Sequence, residues 1–258
     1  MMKKKLAFFL MILGIFFFLS CENSPKTQII AHRGYWNTTG SAQNSIKALE
    51  KADSINVYGS EFDINLTSDS VLIVCHGPSQ GSIKNVQQVP YSEIAKLQLS
   101  NGEAVPTLED YLNAEEKLKK VRLILEIKSH PTVETENYVV AKAIDMIKDH
   151  NLLEKTSFIS FSLNVCKEIH KILPNADIQY LGGKFSPSEL NEIGITGLDY
   201  YIGEFRKHPE WIEEAHELGL TTNAWTVSSR EDLLFCINNN INFVTTNDPL
   251  LAQELIKK

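Results

Sequence analysis

The chain has 258 residues, of which 43% are hydrophobic and 22% charged, and its formal net charge is −7 at neutral pH. This composition excludes an intrinsically disordered chain, a collagen-like repeat and a protein with several membrane spans. Only four of the 25 basic residues are arginine, and no basic run follows the N-terminal segment. The charge pattern therefore argues against a nucleic-acid partner. The length suits one large domain or two small ones.

The first 20 residues have the pattern of an export signal. Three lysines at positions 3–5 precede an apolar run at 6–19, and this run is shorter than the ~20 residues that a membrane-spanning helix needs. Cys21 follows Ser20 and precedes polar residues, so the segment resembles a bacterial lipoprotein signal. We expect residues 1–20 to be a signal peptide and 21–27 a tether. Lipidated Cys21 would then anchor the exported protein to the periplasmic or cell-surface side of a membrane. Ordinary signal cleavage beside an incidental cysteine is the alternative.

Strand-like apolar runs alternate with amphipathic segments over the rest of the chain. The predicted strands are 28–32, 58–63, 121–128, 156–161, 177–181, 198–202, 221–227 and 243–245, and the predicted helices are 45–53, 108–119, 133–149, 164–173, 209–218 and 230–238. Eight β units in about 230 residues indicate an α/β domain at 28–258, in which a parallel sheet closes into a (β/α)8 TIM barrel. An open doubly wound sheet is the competing fold, but no glycine-rich dinucleotide-binding loop follows the first strand.

One predicted connection is far longer than the others. The 43 residues from Ile64 to Pro106 exceed the usual ~2–6 residues of a βα loop. They contain a strand of their own at 71–76 and a short predicted helix around 91–97. Because long insertions at the C-terminal face of a barrel commonly build the active site, we expect this insertion after the second barrel strand to be functional.

Acidic residues occur at the ends of the second and third predicted strands. Glu61 and Asp63 are two residues apart and therefore point to the same face of their strand, and Glu126 lies near the end of the next strand. Three carboxylates at one rim would repel one another unless a hard divalent cation, Mg²⁺ or Ca²⁺, were bound between them. Surface ion pairs are the alternative for any single pair, but three such residues on consecutive strands favour the cation site.

Two histidines and two basic residues are predicted to lie at the same rim. His32 and His76 each follow an apolar strand and could transfer protons near neutral pH. Arg33 and Lys128 would supply positive charge, and arginine suits bidentate contacts with phosphate. Together with the carboxylates, these residues point to the chemistry of phosphate esters rather than that of sugars.

Short motifs extend in order from Ile29 to Pro249. They are Ala31-His32-Arg33-Gly34, Glu61-Phe62-Asp63-Ile64, the strand ending at His76, Val105-Pro106-Thr107-Leu108-Glu109, Leu125-Glu126-Ile127-Lys128, Ala224-Trp225-Thr226-Val227 and Thr245-Thr246-Asn247-Asp248-Pro249. This ordered set resembles the glycerophosphodiester phosphodiesterase family of (β/α)8 barrels. The resemblance implies hydrolysis of glycerophosphodiesters to an alcohol and sn-glycerol 3-phosphate. It also implies an acid–base pair, His32 and His76; cation ligands, Glu61, Asp63 and Glu126; and substrate-binding residues, Arg33, Lys128 and, on the alcohol side, Trp225.

The chain departs from the family pattern at two positions. Gln43 stands where the family usually has Glu, and Gly77 stands where it usually has Asp after the second histidine. Three alternatives stay open, and the two departures motivate the first of them. The protein could bind phosphodiesters without catalysis, it could form cyclic phosphates as a related phospholipase C does, or it could be a barrel glycosidase that uses Glu61 and Glu126.

Overall fold

Eight parallel strands close into a barrel in the computed structural model, which describes residues 27–257. The strands are β1 (Gln28–Ala31), β2 (Gly59–Leu66), β3 (Leu72–Val74), β4 (Arg122–Ile127), β5 (Thr156–Ser160), β6 (Ile178–Tyr180), β7 (Gly197–Tyr201), β8 (Thr221–Trp225) and β9 (Phe243–Thr246). All except β3 form the barrel, which closes where β1 pairs with both β9 and β2. This closure confirms the predicted TIM barrel and excludes the open doubly wound sheet.

Helices connect the barrel strands and cover the outside of the barrel. They are α1 (Ile46–Ser54), α2 (Tyr91–Ile94), α3 (Leu108–Glu115), α4 (Val133–Asp149), α5 (Leu163–Ile172), α6 (Pro187–Glu192), α7 (Ile202–Lys207), α8 (Glu210–Glu217), α9 (Arg230–Asn238) and α10 (Pro249–Ile256). Most of them begin at a Ser, Thr or Asp whose side chain accepts a hydrogen bond from a backbone amide of the first turn. Thr107 and Ser186 also form reciprocal capping boxes.

The barrel interior has an apolar lower layer and a polar upper rim. Ile30, Ile124, Ile159, Leu181 and Phe243 pack together as a cluster inside the barrel, separate from the larger core between strands and helices. Because side chains alternate along a strand, the inward-facing positions that follow these residues reach the C-terminal rim. The functional residues are therefore held by a rigid apolar floor.

The second barrel strand is longer than the sequence predicts. β2 continues to Leu66 because its last residues pair with antiparallel β3, with Ile64 opposite Val74 and Leu66 opposite Leu72. β3 and the residues that follow it form a small apolar cluster of their own around Ile73, Val86 and Ile94. The long connection is therefore a packed lobe, and it returns the chain to the rim at His76.

The predicted signal peptide, Cys21 and all but Thr27 of the predicted tether lie outside the described residues. Within residues 27–257, no helix is both long enough and apolar enough to cross a membrane.

Candidate active site

The C-terminal ends of the barrel strands surround a cleft of about 140 Å³. It is lined by His32, Arg33, Glu61, His76, Glu126, Lys128, Ile159, Phe161, Leu181, Asp199, Trp225, Thr226 and Thr245. The cleft thus brings together all the predicted catalytic, cation-binding and substrate-binding residues except Asp63. Asp63 is buried immediately beside it, in contact with Lys128, and Cys21 lies outside the described residues.

Three buried carboxylates converge at one side of the cleft. One oxygen from each of Glu61, Asp63 and Glu126 lies within 4.8 Å of the others, because Asp63 and Glu126 are paired neighbours on β2 and β4. Burial raises the pKa of Glu61 well above its ordinary value, and the charges of Asp63 and Glu126 raise it further. Burial and the charge of Asp63 also raise the pKa of Glu126 to about 7. The cluster is therefore short of positive charge.

Lys128 partly neutralises this cluster. Its Nζ lies 2.6 Å from Asp63 Oδ1 and 2.6 Å from Glu126 Oε1. Burial alone would raise the pKa of Asp63, but the ammonium group of Lys128 outweighs it and lowers that pKa to about 2. Glu61 gains no such cation, and its Oε1 is buried without a hydrogen-bond partner among residues 27–257. This oxygen is therefore free to bind an ion or ligand.

The turn after β1 brings backbone and side-chain donors to the same carboxylates. The backbone amide of Arg33 donates to Glu61 Oε2 at 2.7 Å, and the side-chain amide of Asn44 donates to Asp63 Oδ2 at 2.8 Å. Gly34 permits this tight turn, because its φ is +76° and a Cβ there would lie 2.6 Å from the Cβ of Ala48. The absence of a side chain at Gly34 therefore allows α1 to pack close to the site.

His32 is held by a side chain from the opposite end of the sequence. Its Nδ1 lies 2.8 Å from Asn247 Oδ1, and the same oxygen accepts a hydrogen bond from Trp36 Nε1 at 3.2 Å. Because an indole N–H only donates, the Asn247 atom at this position must be the oxygen. His32 therefore donates through Nδ1 and, when neutral, carries its lone pair on Nε2. Burial, reinforced by the charge of Arg33, lowers the pKa of His32 to about 4.

The second histidine is carried to the rim by the inserted lobe. The backbone amide of Cys75 donates to the carbonyl of Asp63 at 2.9 Å, which fixes the residue before His76 against β2. His76 is exposed to solvent on one side and lines the cleft on the other. Burial and the nearby charge of Lys128 lower its pKa.

Both departures from the family pattern have local structural partners. Gln43 Oε1 accepts a hydrogen bond from Arg33 Nη1 at 2.7 Å, so it still orients the guanidinium group. Gly77 has a φ of +48°, and a Cβ there would lie 2.8 Å from the side-chain amide of Asn65. The side-chain amide of Asn65 occupies this space and donates a hydrogen bond to the carbonyl of Cys75. A glycine at position 77 therefore fits the local backbone, and the position is not one of the three predicted cation ligands.

Aromatic residues form the opposite side of the cleft. Trp225 donates through Nε1 to the carbonyl of Asp199 at 2.8 Å, which fixes the indole. The rings of Phe161 and Tyr201 both contact the indole, with centroids 5.5 and 6.0 Å from that of Trp225. Phe161 and Tyr201 are about half exposed. This side of the site therefore offers an open, apolar mouth.

The contacts that Asn44 and Asn247 make with Asp63 and His32 were not predicted from the sequence. Both asparagines lie in or beside motifs that the sequence displays, but their partners are 19 and 215 residues away. The only available signal was that an amide follows directly after a strand end or precedes a helix cap at the functional rim.

The glycerophosphoryl diester phosphodiesterase family model matches residues 32–251. The chain belongs to this family. It is 26% identical over 249 residues to a glycerophosphodiester phosphodiesterase of Caldanaerobacter subterraneus subsp. tengcongensis, covering 90% of this chain and 99% of the relative. The protein is accordingly a phosphoric diester hydrolase, and the family supports glycerophosphodiesters as its small-molecule substrates.

Solved structures of similar proteins agree with the fold. A glycerophosphodiester phosphodiesterase from Parabacteroides distasonis is 44% identical, with a TM-score of 0.89 over 91% of this chain and 98% of that one. A phosphodiesterase from Oleispira antarctica, in complex with the product sn-glycerol-3-phosphate, is 20% identical, with a TM-score of 0.77 over 90% of this chain and 98% of that one. The second likeness concerns the barrel fold alone.

Replacing Glu126 with Gln should remove a pH-dependent loss of stability from the cation-free protein. Because the pKa of Glu126 is raised to about 7 in the folded state, the folded protein binds a proton that the unfolded chain has lost between roughly pH 4.5 and 7. The free energy of unfolding of the wild type therefore falls as the pH rises through this window. We expect E126Q to lose on the order of 2 kcal/mol less than the wild type between pH 5 and 7.5.

Urea unfolding in the presence of a chelator measures this difference. The exposed Glu213→Gln variant on α8 is the control and should follow the wild type. Equal pH dependence of the unfolding free energy in E126Q and the wild type would show that folding does not raise the pKa of Glu126.

Proposed function

We propose that the protein hydrolyses glycerophosphodiesters by two-histidine acid–base catalysis and that Glu61, Asp63 and Glu126 bind a divalent cation. The convergence of three buried carboxylates with two histidines in one cleft is the observation that supports this proposal most strongly. The predicted cation and its three ligands suit each other, since Mg²⁺ and Ca²⁺ both prefer carboxylate oxygens. The buried Glu61 Oε1, which lacks a hydrogen-bond partner within the described chain, adds an available ligand atom.

When bound, the cation would polarise the phosphoryl oxygens and offset the repulsion among the carboxylates. Arg33 and Lys128 line the same cleft and would bind the phosphate. Arg33 is already oriented by Gln43 and lies with its Nε 3.6 Å from Asp63 Oδ2. These two residues would stabilise the negative charge that develops on the phosphoryl group.

We assign the role of general base to His32. Its Nδ1 donates to Asn247, so Nε2 of the neutral ring has the lone pair that can accept a proton. Burial lowers the pKa of His32 to about 4, and the ring is therefore neutral near pH 7. Nε2 would take a proton from the attacking hydroxyl, which belongs either to water or to the 2-hydroxyl of the glycerol unit.

His76 would then be the general acid that protonates the leaving alkoxide. The anionic phosphate of a bound substrate counters the charges of Lys128 and Arg33, and so favours the protonated ring of His76. The leaving alcohol would lie against Trp225 at the open, aromatic mouth, where alcohols of different size find room.

The protein without residues 1–21 should release glycerol 3-phosphate from glycerophosphoethanolamine and glycerophosphocholine in the presence of Mg²⁺ or Ca²⁺. A chelator should abolish release, and His32→Ala should lower kcat by about 10²- to 10⁴-fold because the base is lost. An enzymatic assay for glycerol 3-phosphate measures the rate, with the exposed His216→Ala variant as the control.

Cation-independent release or an unaffected His32→Ala variant would contradict the mechanism. Accumulation of a cyclic phosphate would show that the 2-hydroxyl attacks and that the product is not hydrolysed further. Binding of the diesters without turnover in a folded sample would favour a non-catalytic role.

Asn247→Leu should lower kcat by about ten- to a hundredfold with a smaller change in KM, because His32 loses the acceptor that fixes its protonated nitrogen. Asn247→Asp, which keeps an acceptor at the same position, should retain much more activity. Steady-state kinetics of the two variants provide the comparison. Equal activity of Asn247→Leu and the wild type would exclude this orienting role.

We also propose that the enzyme is exported and held at a bacterial membrane by a lipid on Cys21. The basic, apolar and polar order of residues 3–25 supports this proposal. Cells that express the full chain should incorporate a palmitate analogue into the protein, and Cys21→Ser should abolish both labelling and recovery in the membrane fraction. Labelling that persists in the variant would contradict the proposal.

A further inference from the structure

Asp199 forms part of the floor of the cleft and has no role in the mechanism derived above. It lies in the middle of β7, opposite Asn223 of β8, and its side chain points into the barrel. The residue is only 1% exposed. Its main-chain carbonyl accepts the hydrogen bond from Trp225, so its position is fixed.

The carboxyl group of Asp199 has a neighbouring donor in the side-chain amide of Asn223, but it has no cationic partner. Its Oδ1 is buried without a hydrogen bond, and no lysine, arginine or histidine within residues 27–257 forms an ion pair with the group. Glu115 on α3 offers a comparison, because it is equally buried and its Oε2 also has no hydrogen bond within residues 27–257, but its Oε1 lies 2.9 Å from Lys155 Nζ and it does not line the cleft. Since an unpaired buried polar group is costly, an unsatisfied oxygen in the wall of a cleft indicates a ligand that satisfies it.

Asp199 lies across the barrel from the cation-binding carboxylates. In the closed sheet, three strands separate β7 from β2 in either direction, so these two strands face each other. The phosphate would therefore bind at the β1–β4 side, near Arg33 and Lys128. The end of the substrate remote from the phosphate would reach towards Asp199.

The depth of the cleft distinguishes the two ends of a glycerophosphodiester. Exposed Phe161 and Tyr201 border the mouth, where the variable alcohol has room to extend into solvent. The enclosed floor, with Leu181 and Thr245 beside Asp199, suits the small glycerol unit that is common to all these substrates.

We propose that the carboxyl group of Asp199 binds the terminal hydroxyl of the glycerol unit and so selects glycerol over shorter or deoxygenated alcohols on that side of the phosphate. This inference rests on the proposed function. It identifies Asp199 as a specificity-determining residue, separate from the acid–base pair and the cation ligands.

The electrostatic surroundings fit this role. Burial raises the pKa of Asp199 well above its ordinary value, the charges of Glu126 and Asp177 raise it further, and the amide of Asn223 lowers it. The raised pKa favours the neutral acid over the carboxylate, and the neutral acid can donate a hydrogen bond to a hydroxyl as well as accept one.

The test compares the wild type and Asp199 variants on two substrates. Glycerophosphoethanolamine is compared with its propane-1,2-diol analogue, which keeps the hydroxyl next to the phosphate-bearing carbon and lacks only the terminal one. We expect the wild type to prefer the glycerol compound by tenfold or more in kcat/KM. Asp199→Ala should lose most of this preference, mainly by slowing the glycerol compound, and Asp199→Asn should restore part of it.

Glu115→Gln is the matched control, because it changes a buried carboxyl outside the cleft. It should alter stability without altering the preference between the two substrates. If Asp199→Ala does not fold, as judged by circular dichroism, Asp199→Ser takes its place. A wild-type preference that persists in the folded variant would overturn the proposal.

If the protein does not hydrolyse glycerophosphodiesters, the outcome differs from that of a failed role for Asp199. In that case, the wild type turns over neither substrate, and calorimetric titration with glycerol 3-phosphate and propane-1,2-diol 1-phosphate replaces the kinetic comparison. Tighter binding of the glycerol compound that is lost in Asp199→Ala would support the role of Asp199 even then. Equal binding of the two compounds by the wild type would overturn it.

Discussion

The mutual repulsion of three buried carboxylates is the constraint on which the rest of the site depends. The register of β2 and β4 places Asp63 beside Glu126, and the alternation of β2 brings Glu61 to the same face. A single ammonium group, that of Lys128, and the donors of Arg33 and Asn44 offset this charge only in part. Burial, reinforced by the repulsion that remains, keeps the pKa values of Glu61 and Glu126 raised. A bound cation would complete the cluster, and together with Arg33 and Lys128 it would supply the positive charge that a phosphate group requires.

The barrel divides the cleft into two halves of different character. The strands from β1 to β4 carry the ionisable groups, whereas β5 to β8 supply Phe161, Leu181 and Trp225, with Asp199 as the one carboxyl group among the cleft-lining residues on that side. A phosphodiester has a matching division, since its charged centre carries a small polyol on one side and a variable alcohol on the other. The inserted lobe adds His76 above the charged half, and Asn247 fixes His32 from the last strand.

Sequence patterns predicted the barrel and most of the site because both depend on local periodicity. The predicted barrel strands agree with the structure to within three residues at each end, and spacing by two correctly placed Glu61 and Asp63 on one face. The end of β2 was wrong because β3, a partner from the insertion, extends it. The helices α6, α7 and α10 were missed, and α6 and α7 have only six residues each. The contact of His32 with Asn247 and the unsatisfied Oδ1 of Asp199 depend on residues brought together by barrel closure, which no spacing along the chain displays.

Anomalous diffraction from crystals grown with Mn²⁺, a divalent ion that carboxylate oxygens also bind, tests the central claim most directly. The account predicts one strong anomalous peak within coordination distance of Glu61, Asp63 and Glu126, and its disappearance in Asp63→Ala crystals grown in the same way. A map without a peak among these carboxylates, from crystals whose protein hydrolyses glycerophosphodiesters, would contradict it.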